Sequence, residues 1–259
     1  MKDKIKPDWA GEGLLSQFVN LLIQTKPIYN LMKHQARQVI IKKSMRSPEL
    51  TSPTLQHFTT VLEQVVSAYR GEASDRPAVP TVVNALLQAE KAAKQKKLTY
   101  PLTSLLGQWR LCFTTGTRKR KNRGGIELGR GFYVPKFGAA HICFAATDIA
   151  ADKGEISNQV KLGGLLLKFT GPARYLGKKN LLAFDFTQMQ ISLFGRVVYK
   201  QQIRGGQSQT EDFYNQSIVK LPFFAFFLVT EDFIAARGRG GGLAIWIKEG
   251  SRQEAGSRS

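Results

Sequence analysis

The stretch RGRGGGLAIW, residues 237–246, suits three readings that imply three different proteins. Arg237-Gly238-Arg239-Gly240-Gly241-Gly242 has the composition of a phosphate-cradling loop, of an RGG-type RNA-binding element, and of a β-hairpin turn. A dinucleotide fingerprint needs Gly at its first, third and sixth positions, at the start of a helix, with an acidic ribose ligand about 20 residues further on. Counted from Gly238, the sixth position is Leu243, the residues that follow are the β-rich LAIWIK, and only seventeen positions remain after Gly242. The phosphate reading fails on context. Gly240 to Gly242 then read as the positive-φ positions of a tight hairpin joining Phe233–Arg237 to Leu243–Ile247.

Working outward, the chain has two textures. From Gly13 to about Lys97 apolar residues recur at helical spacing: Ile28, Leu31, Met32, Val39 and Ile40 after Pro27; Leu55, Phe58, Leu62, Val65 and Tyr69 after Pro53; Val83, Leu86 and Leu87 after Pro80. The prolines sit at first-turn positions. From Leu105 onward short runs alternate with period two: Trp109, Leu111, Phe113; Ile142, Phe144; Ile156, Asn158, Val160, Leu162; then 181–194, Phe223–Val229, Phe233–Arg237 and Leu243–Ile247. Turn-rich segments separate them. The pattern predicts an α+β chain, with N-terminal helices followed by one antiparallel β-barrel. The expected divisions are a flexible tail at 1–12, a helical region at 13–100, the barrel at 101–249 and a disordered tail at 250–259.

Catalytic chemistry finds little to use. The histidines, His34, His57 and His141, are scattered, and no HExxH, GxSxG or paired-Cys motif occurs. The acidic pairs Glu211-Asp212 and Glu231-Asp232 are adjacent, so in strands they would point to opposite faces. A turn role suits both. An enzymatic reading would need the fold to bring His141 and an acid together in a pocket. No enzyme activity, metal site or cofactor is expected.

Charge says more about partners. Thirty-eight Lys+Arg against 19 Asp+Glu leave a net charge of +19, with 42% hydrophobic and 22% charged residues. Such an excess attracts polyanions: nucleic acid or an anionic membrane surface. Two cysteines, Cys112 and Cys143, make no disulfide framework and suit an intracellular compartment. The N-terminus lacks a signal-peptide core, and the longest notable apolar run, Phe223 to Val229, has strand length, so no transmembrane segment is expected. The 26–46 segment carries Lys26, Lys33, Arg37, Lys42, Lys43 and Arg46 and no acid, opposite its apolar residues. It reads as a basic amphipathic helix that either lies in an anionic lipid interface or packs on the barrel with its charges outward. The loop Arg118-Lys119-Arg120-Lys121-Asn122-Arg123-Gly124-Gly125 is the second basic element. Lys33, Arg37, Lys42, Lys43, Arg46, Arg118, Lys119, Arg120 and Lys121 are the candidate membrane-surface contacts. The two RGG turns keep RNA or other nucleic acid as the alternative partner.

Leu105-Leu106-Gly107-Gln108-Trp109-Arg110-Leu111, running into Phe113-Thr114-Thr115, resembles the opening strand of the plastid-lipid-associated protein (PAP)/fibrillin family. The stretch VTEDFIAARGRGGGLAIW resembles that family's closing hairpin, with Asp232, Arg237, Gly238, Gly241 and Leu243 on the matching positions, and Ile156–Val160 resembles its N-x-V strand. KPIYNLMKHQAR, residues 26–37, is similar to the photosynthetic-bacterial members. Ile234 stands where the family carries an extra Arg, and RKRKNRGG is more basic than the family pattern.

The resemblance implies a lipocalin-like barrel that binds or organises prenylquinones, carotenoids or membrane lipids at thylakoid membranes, plastoglobules or other lipid droplets, without catalysis. It implies a thylakoid-associated or cytoplasmic protein of a photosynthetic bacterium, or a plastid protein in a eukaryote. Trp109, Leu111 and Phe113, expected on one strand face, are the candidate ligand lining together with Phe144 and Val160. Gly107, Trp109, Asp232, Arg237, Gly238 and Gly241 are the expected structural positions. The likeness to lipocalin-like folds further implies that Arg237 packs over the Trp109 indole.

Overall fold

The computed structural model describes residues 56–119, 126–203, 212–218 and 221–249. The expected tails, the expected helix of 26–46 with Lys33, Arg37, Lys42, Lys43 and Arg46, and the candidate contacts Arg120 and Lys121 lie outside them. Arg118 and Lys119 close strand β1, and their side chains also lie outside the described set.

Among the described residues two helices come first, α1 (Gln56–Arg70) and α2 (Val79–Lys96). Pro80 enters α2 in its first turn, where a missing N–H costs nothing, and Lys97 ends it in the left-handed conformation at φ 50°. Leu62, Val65 and Tyr69 of α1 are buried as their spacing predicts. In α2 the buried residues are Val82, Ala85, Leu86, Ala89, Glu90, Ala92 and Ala93, whereas Leu87 faces out. Small alanines make up much of that face, because the helix lies close against the sheet.

Eleven strands follow: β1 (Gly107–Lys119), β2 (Ile126–Tyr133), β3 (Gly138–Asp148), β4 (Lys153–Leu162), β5 (Leu165–Leu176), β6 (Leu181–Phe184), β7 (Gln188–Leu193), β8 (Arg196–Gln202), β9 (Phe223–Val229), β10 (Phe233–Gly238) and β11 (Leu243–Lys248). Hydrogen bonding runs β4-β3-β1-β11-β10-β9-β6-β5 and returns from β5 to β4, which closes a barrel of eight antiparallel strands. Closure pairs both edges of the ring strands, and free edges remain on β2 and β8, which lie outside the ring. β2 pairs with the outer half of β1, and β7 and β8 hang on the N-terminal half of β5.

The hairpin of residues 237–246 is formed as expected, with Gly238 N–H donating to Gly242 O at 2.9 Å. Of its three central glycines only Gly241 has positive φ, at 90°. Gly242 is needed for a different reason: a Cβ there would stand 2.8 Å from Thr115 O.

The apolar run 181–194 is not one strand. It breaks at Asp185–Thr187 between β6 and β7, because β5 is shared. β6 pairs with its 173–176 half and β7 with its 165–170 half. The sheet forks there.

Bulges divide the barrel wall into two cores. Trp109 and Leu111 pair with Lys248 and Trp246, but the register slips at Cys112, and Phe113 pairs with Ile245. One extra residue reverses which face the strand presents. Phe113 therefore does not share the face of Trp109. It joins Leu62, Val65, Leu86, Ile245 and Phe233 in the core between the helices and the outside of the barrel. β9 has the same device at Phe227, which also joins the helix-side core while Phe224 and Phe226 face inward.

Asn180 ties the α2–β1 linker to the barrel. It sits buried in the left-handed region at φ 49°, accepts from Tyr100 N–H at 2.9 Å, and donates to Leu98 O at 2.6 Å. The Tyr175 hydroxyl adds a bond to Tyr100 O at 2.8 Å. Asn180→Ala leaves these groups unpaired and loses the side chain that tolerates this backbone, so it is expected to cost about 2 kcal/mol in urea unfolding.

Candidate functional site

The barrel interior is aromatic. Alternation turns Trp109, Ile142, Phe144, Ile156, Val160, Phe224, Phe226, Ile234 and Trp246 inward, and all are buried. Phe184 stacks on Phe224 at 5.1 Å, Phe224 meets Trp246 edge-on at 5.4 Å, and Phe144 meets Phe226 at 6.0 Å. β3 and β9 stand four places apart in the ring of eight, so the last pair reaches across the bore. An eight-stranded barrel is just wide enough for side chains to fill, and at this level they do. Trp109, Phe144 and Val160 thus lie on the inner face expected of them. Leu111 shares that face through its pairing with Trp246 and is half-buried.

One end of the barrel is closed beside Trp109. The 3₁₀ turn Leu102–Leu105 lies there, with Leu105 O accepting from Trp109 Nε1 at 2.8 Å, and the Lys248 ammonium sits 5.2 Å from the indole centroid. Lys248, not Arg237, is the cation over this tryptophan. Arg237 pairs with Leu243 on the helix side of β10. There its Nε donates to Glu90 Oε1 at 2.8 Å, its Nη2 to Glu90 Oε2, and its Nη1 to Gly241 O. The sheet separates Arg237 from the Trp109 face, so the indole contact cannot form. Burial works to raise the Glu90 carboxyl, but the bonds from Arg237 and Lys94 outweigh it and hold the group below its ordinary range. Asp232 pairs with Arg70 of α1 at 2.9 Å, which also binds the helices to the closing hairpin.

The inner apolar face does not end with the ring. Across β4, β5, β7 and β8 the row Val160–Leu167–Ile191–Tyr199 continues it onto the fork, as does Leu162–Leu165–Leu193. Exposure rises along the way, from 5% at Val160 to 44% at Leu193 and Tyr199. The result is an apolar trough that leads out of the barrel wall. Sequence reading missed it, because β5 and β8 escaped the alternation test. The signal available was LFGRVVY, residues 193–199, an apolar run folded around a glycine.

Two further hollows lie on the surface. One of about 470 Å³ sits between the end of α2 and β9, with Phe226 and Phe227 at its base and Lys94, Lys97, Lys178 and Lys179 around it. The other, about 200 Å³, is polar, lined by Lys168, Gln190 and Lys200 on the face of the fork opposite the trough.

The fold does bring His141 to an acid. His141 Nε2 lies 2.9 Å from Glu249 Oε1, out of line for a hydrogen bond. Glu249 also accepts from Gln108 Nε2 at 3.0 Å and faces Arg110 at 3.7 Å. The cluster lies on the outer side of β1 and β3 and lines neither described hollow. Arg110 stands over the Tyr69 ring of α1. Burial pushes the Cys112 thiol up, away from the thiolate a nucleophile requires. Among the described residues no cluster of His, Cys, Asp and Glu has metal-binding geometry, and no helix is long and apolar enough to cross a membrane.

No protein-family model matches the chain, and no curated protein matches it.

Proposed function

We propose that this protein binds or organises hydrophobic molecules at a membrane or lipid-droplet surface without catalysing a reaction, as a lipocalin-like member of the PAP/fibrillin family. The observation that carries the reading is the apolar face that runs from the barrel interior onto the fork. Beyond the filled aromatic layer, Leu162, Leu165, Leu167, Ile191, Leu193 and Tyr199 offer a strip suited to an extended apolar chain such as a prenylquinone, carotenoid or acyl tail. The charge of +19 supplies attraction to an anionic leaflet, worth about 1 kcal/mol for each Lys or Arg that reaches the surface. A thylakoid membrane fits this pairing of apolar strip and basic exterior.

Two measurements test it. Protein purified from its own host is expected to release an isoprenoid, pigment or lipid on solvent extraction. In flotation, it is expected to rise with anionic vesicles and not with neutral ones, and to be released as salt shortens the Debye length from about 10 Å at 0.1 M to about 3 Å at 1 M. Equal binding to both vesicle types, or to neither, removes the membrane claim. Tight, salt-sensitive RNA binding without vesicle binding would instead favour a nucleic-acid partner through the RGG-containing loops.

A further inference from the structure

We propose that the sheet end formed by the β2–β3, β4–β5 and β7–β8 turns is the element that inserts into the headgroup region of an anionic bilayer. This rests on the membrane reading above and names the surface that would carry it. Register places the turns side by side: Gly138 pairs with Leu162, Leu165 with both Leu162 and Leu193, and Leu193 with Arg196. The turns present Phe137, Leu165, Leu193, Phe194, Val197 and Val198 to solvent, with Phe194 at 83% exposure. So many large apolar groups gathered at one end mark an interaction surface.

Phe194 is the most telling. It occupies the left-handed region at φ 48°, which a bulky residue adopts only at a cost, yet its exposed ring gains little packing in return. Its N–H donates to Gly164 O at 2.7 Å, which joins the β7–β8 turn to the β4–β5 turn and fixes both tips as one platform.

Charge selects the partner. Lys161, Arg196 and Lys200 are exposed around the apolar tips, and the segments 134–138, 161–165 and 193–200 contain no Asp or Glu. The β3–β4 turn at the other end of those strands differs, holding Asp148, Asp152 and Glu155 with Lys153 as its one cation. Projecting apolar tips with long basic side chains behind them match a fluid interface, where rings enter the acyl boundary and cations remain among the phosphates. The trough of the fork emerges at this end, so insertion would bring the apolar strip to the lipid.

The test uses the full chain and vesicles of equal parts phosphatidylglycerol and phosphatidylcholine. Phe194→Asn with Val198→Thr removes apolar surface while keeping residues suited to the turn and the strand, and is expected to weaken partitioning about ten-fold. Ile149→Thr removes an apolar group about as exposed as Val198, in the β3–β4 turn, and is expected to leave partitioning unchanged. Phe194→Trp is expected to add a vesicle-dependent blue shift to the fluorescence. If the unaltered protein binds no vesicles, the functional reading fails and this surface with it. If it binds and the tip variant binds equally well, only the tip assignment is overturned. A tip variant that loses self-association but not vesicle binding assigns the surface to a second copy of the chain, and also overturns the proposal.

Discussion

Replacing Arg237 with alanine is expected to lower the unfolding free energy by about 3 kcal/mol, because it strands a carboxylate in the helix–barrel contact. Glu90 is a buried residue of α2, and both of its oxygens accept hydrogen bonds from one guanidinium on β10. Lys94, at 3.0 Å, is the other cation on Glu90, but its side chain is 74% exposed. It cannot replace a forked donor held in place by Gly241 O. Arg239→Ala, on an exposed side chain two residues further on, should cost less. A double-mutant cycle with Glu90→Ala and Arg237→Ala, read by urea unfolding, isolates the pair, and a coupling near zero would remove it as a stabilising contact.

The pair also sets a pH dependence. The Glu90 carboxyl is held below its ordinary 4.5 in the fold, so the unfolded chain takes up that proton first as acid is added. Its contribution is therefore complete above the ordinary carboxyl range and is lost as pH falls through the lower folded value. The stability difference between the unaltered protein and Glu90→Gln should be flat near neutrality and shrink on the acid side of 4.5.

Gly171→Ala is expected to cost about 4 kcal/mol or to prevent folding, since no side chain can move to relieve the clash. A Cβ at this position would stand 1.9 Å from Asp185 O and 3.0 Å from Thr187 N, both backbone atoms. The crossing is the fork itself. Asp185 N–H donates to Pro172 O at 3.2 Å and Thr187 N–H to Thr170 O at 3.0 Å, so the chain passes Gly171 at closest range while leaving β6 for β7. Moving it away would break both bonds and detach the strands that carry the apolar trough. Gly116→Ala serves as the control: its added methyl meets nothing within 4 Å, and it is expected to be neutral or slightly stabilising. Comparable midpoints for the two variants in thermal unfolding would remove the fork as a constraint.

Much of the architecture was legible because its causes are local. Period-two alternation marked β1, β3, β4 and β9 to β11, glycine chemistry marked the closing hairpin, and helical spacing with first-turn prolines marked α1 and α2. Excess Lys and Arg and the run of phenylalanines announced a basic exterior and an apolar interior. The candidate site was legible only in part. Trp109, Phe144 and Val160 could be placed inward, but Phe113 could not be placed outward, because a bulge leaves no mark in a run of apolar residues and alternation counts straight through it. Arg237 was singled out, yet its partner is a lone acid 147 residues earlier, and no spacing rule links them.

By itself the sequence determined α1 and α2, the strands β1, β3, β4 and β9 to β11, the hairpin at 237–246 and the sign of the surface charge. The tertiary structure alone decided which face each side chain takes after the bulges at Cys112 and Phe227, and which cation meets Trp109 and which meets Glu90. It also decided that one apolar run splits into β6 and β7, and that three distant turns meet at one basic, apolar end. The difference is physical. Turn conformation and periodicity depend on neighbours along the chain, whereas facing, pairing and convergence depend on the register that barrel closure imposes between strands far apart in sequence.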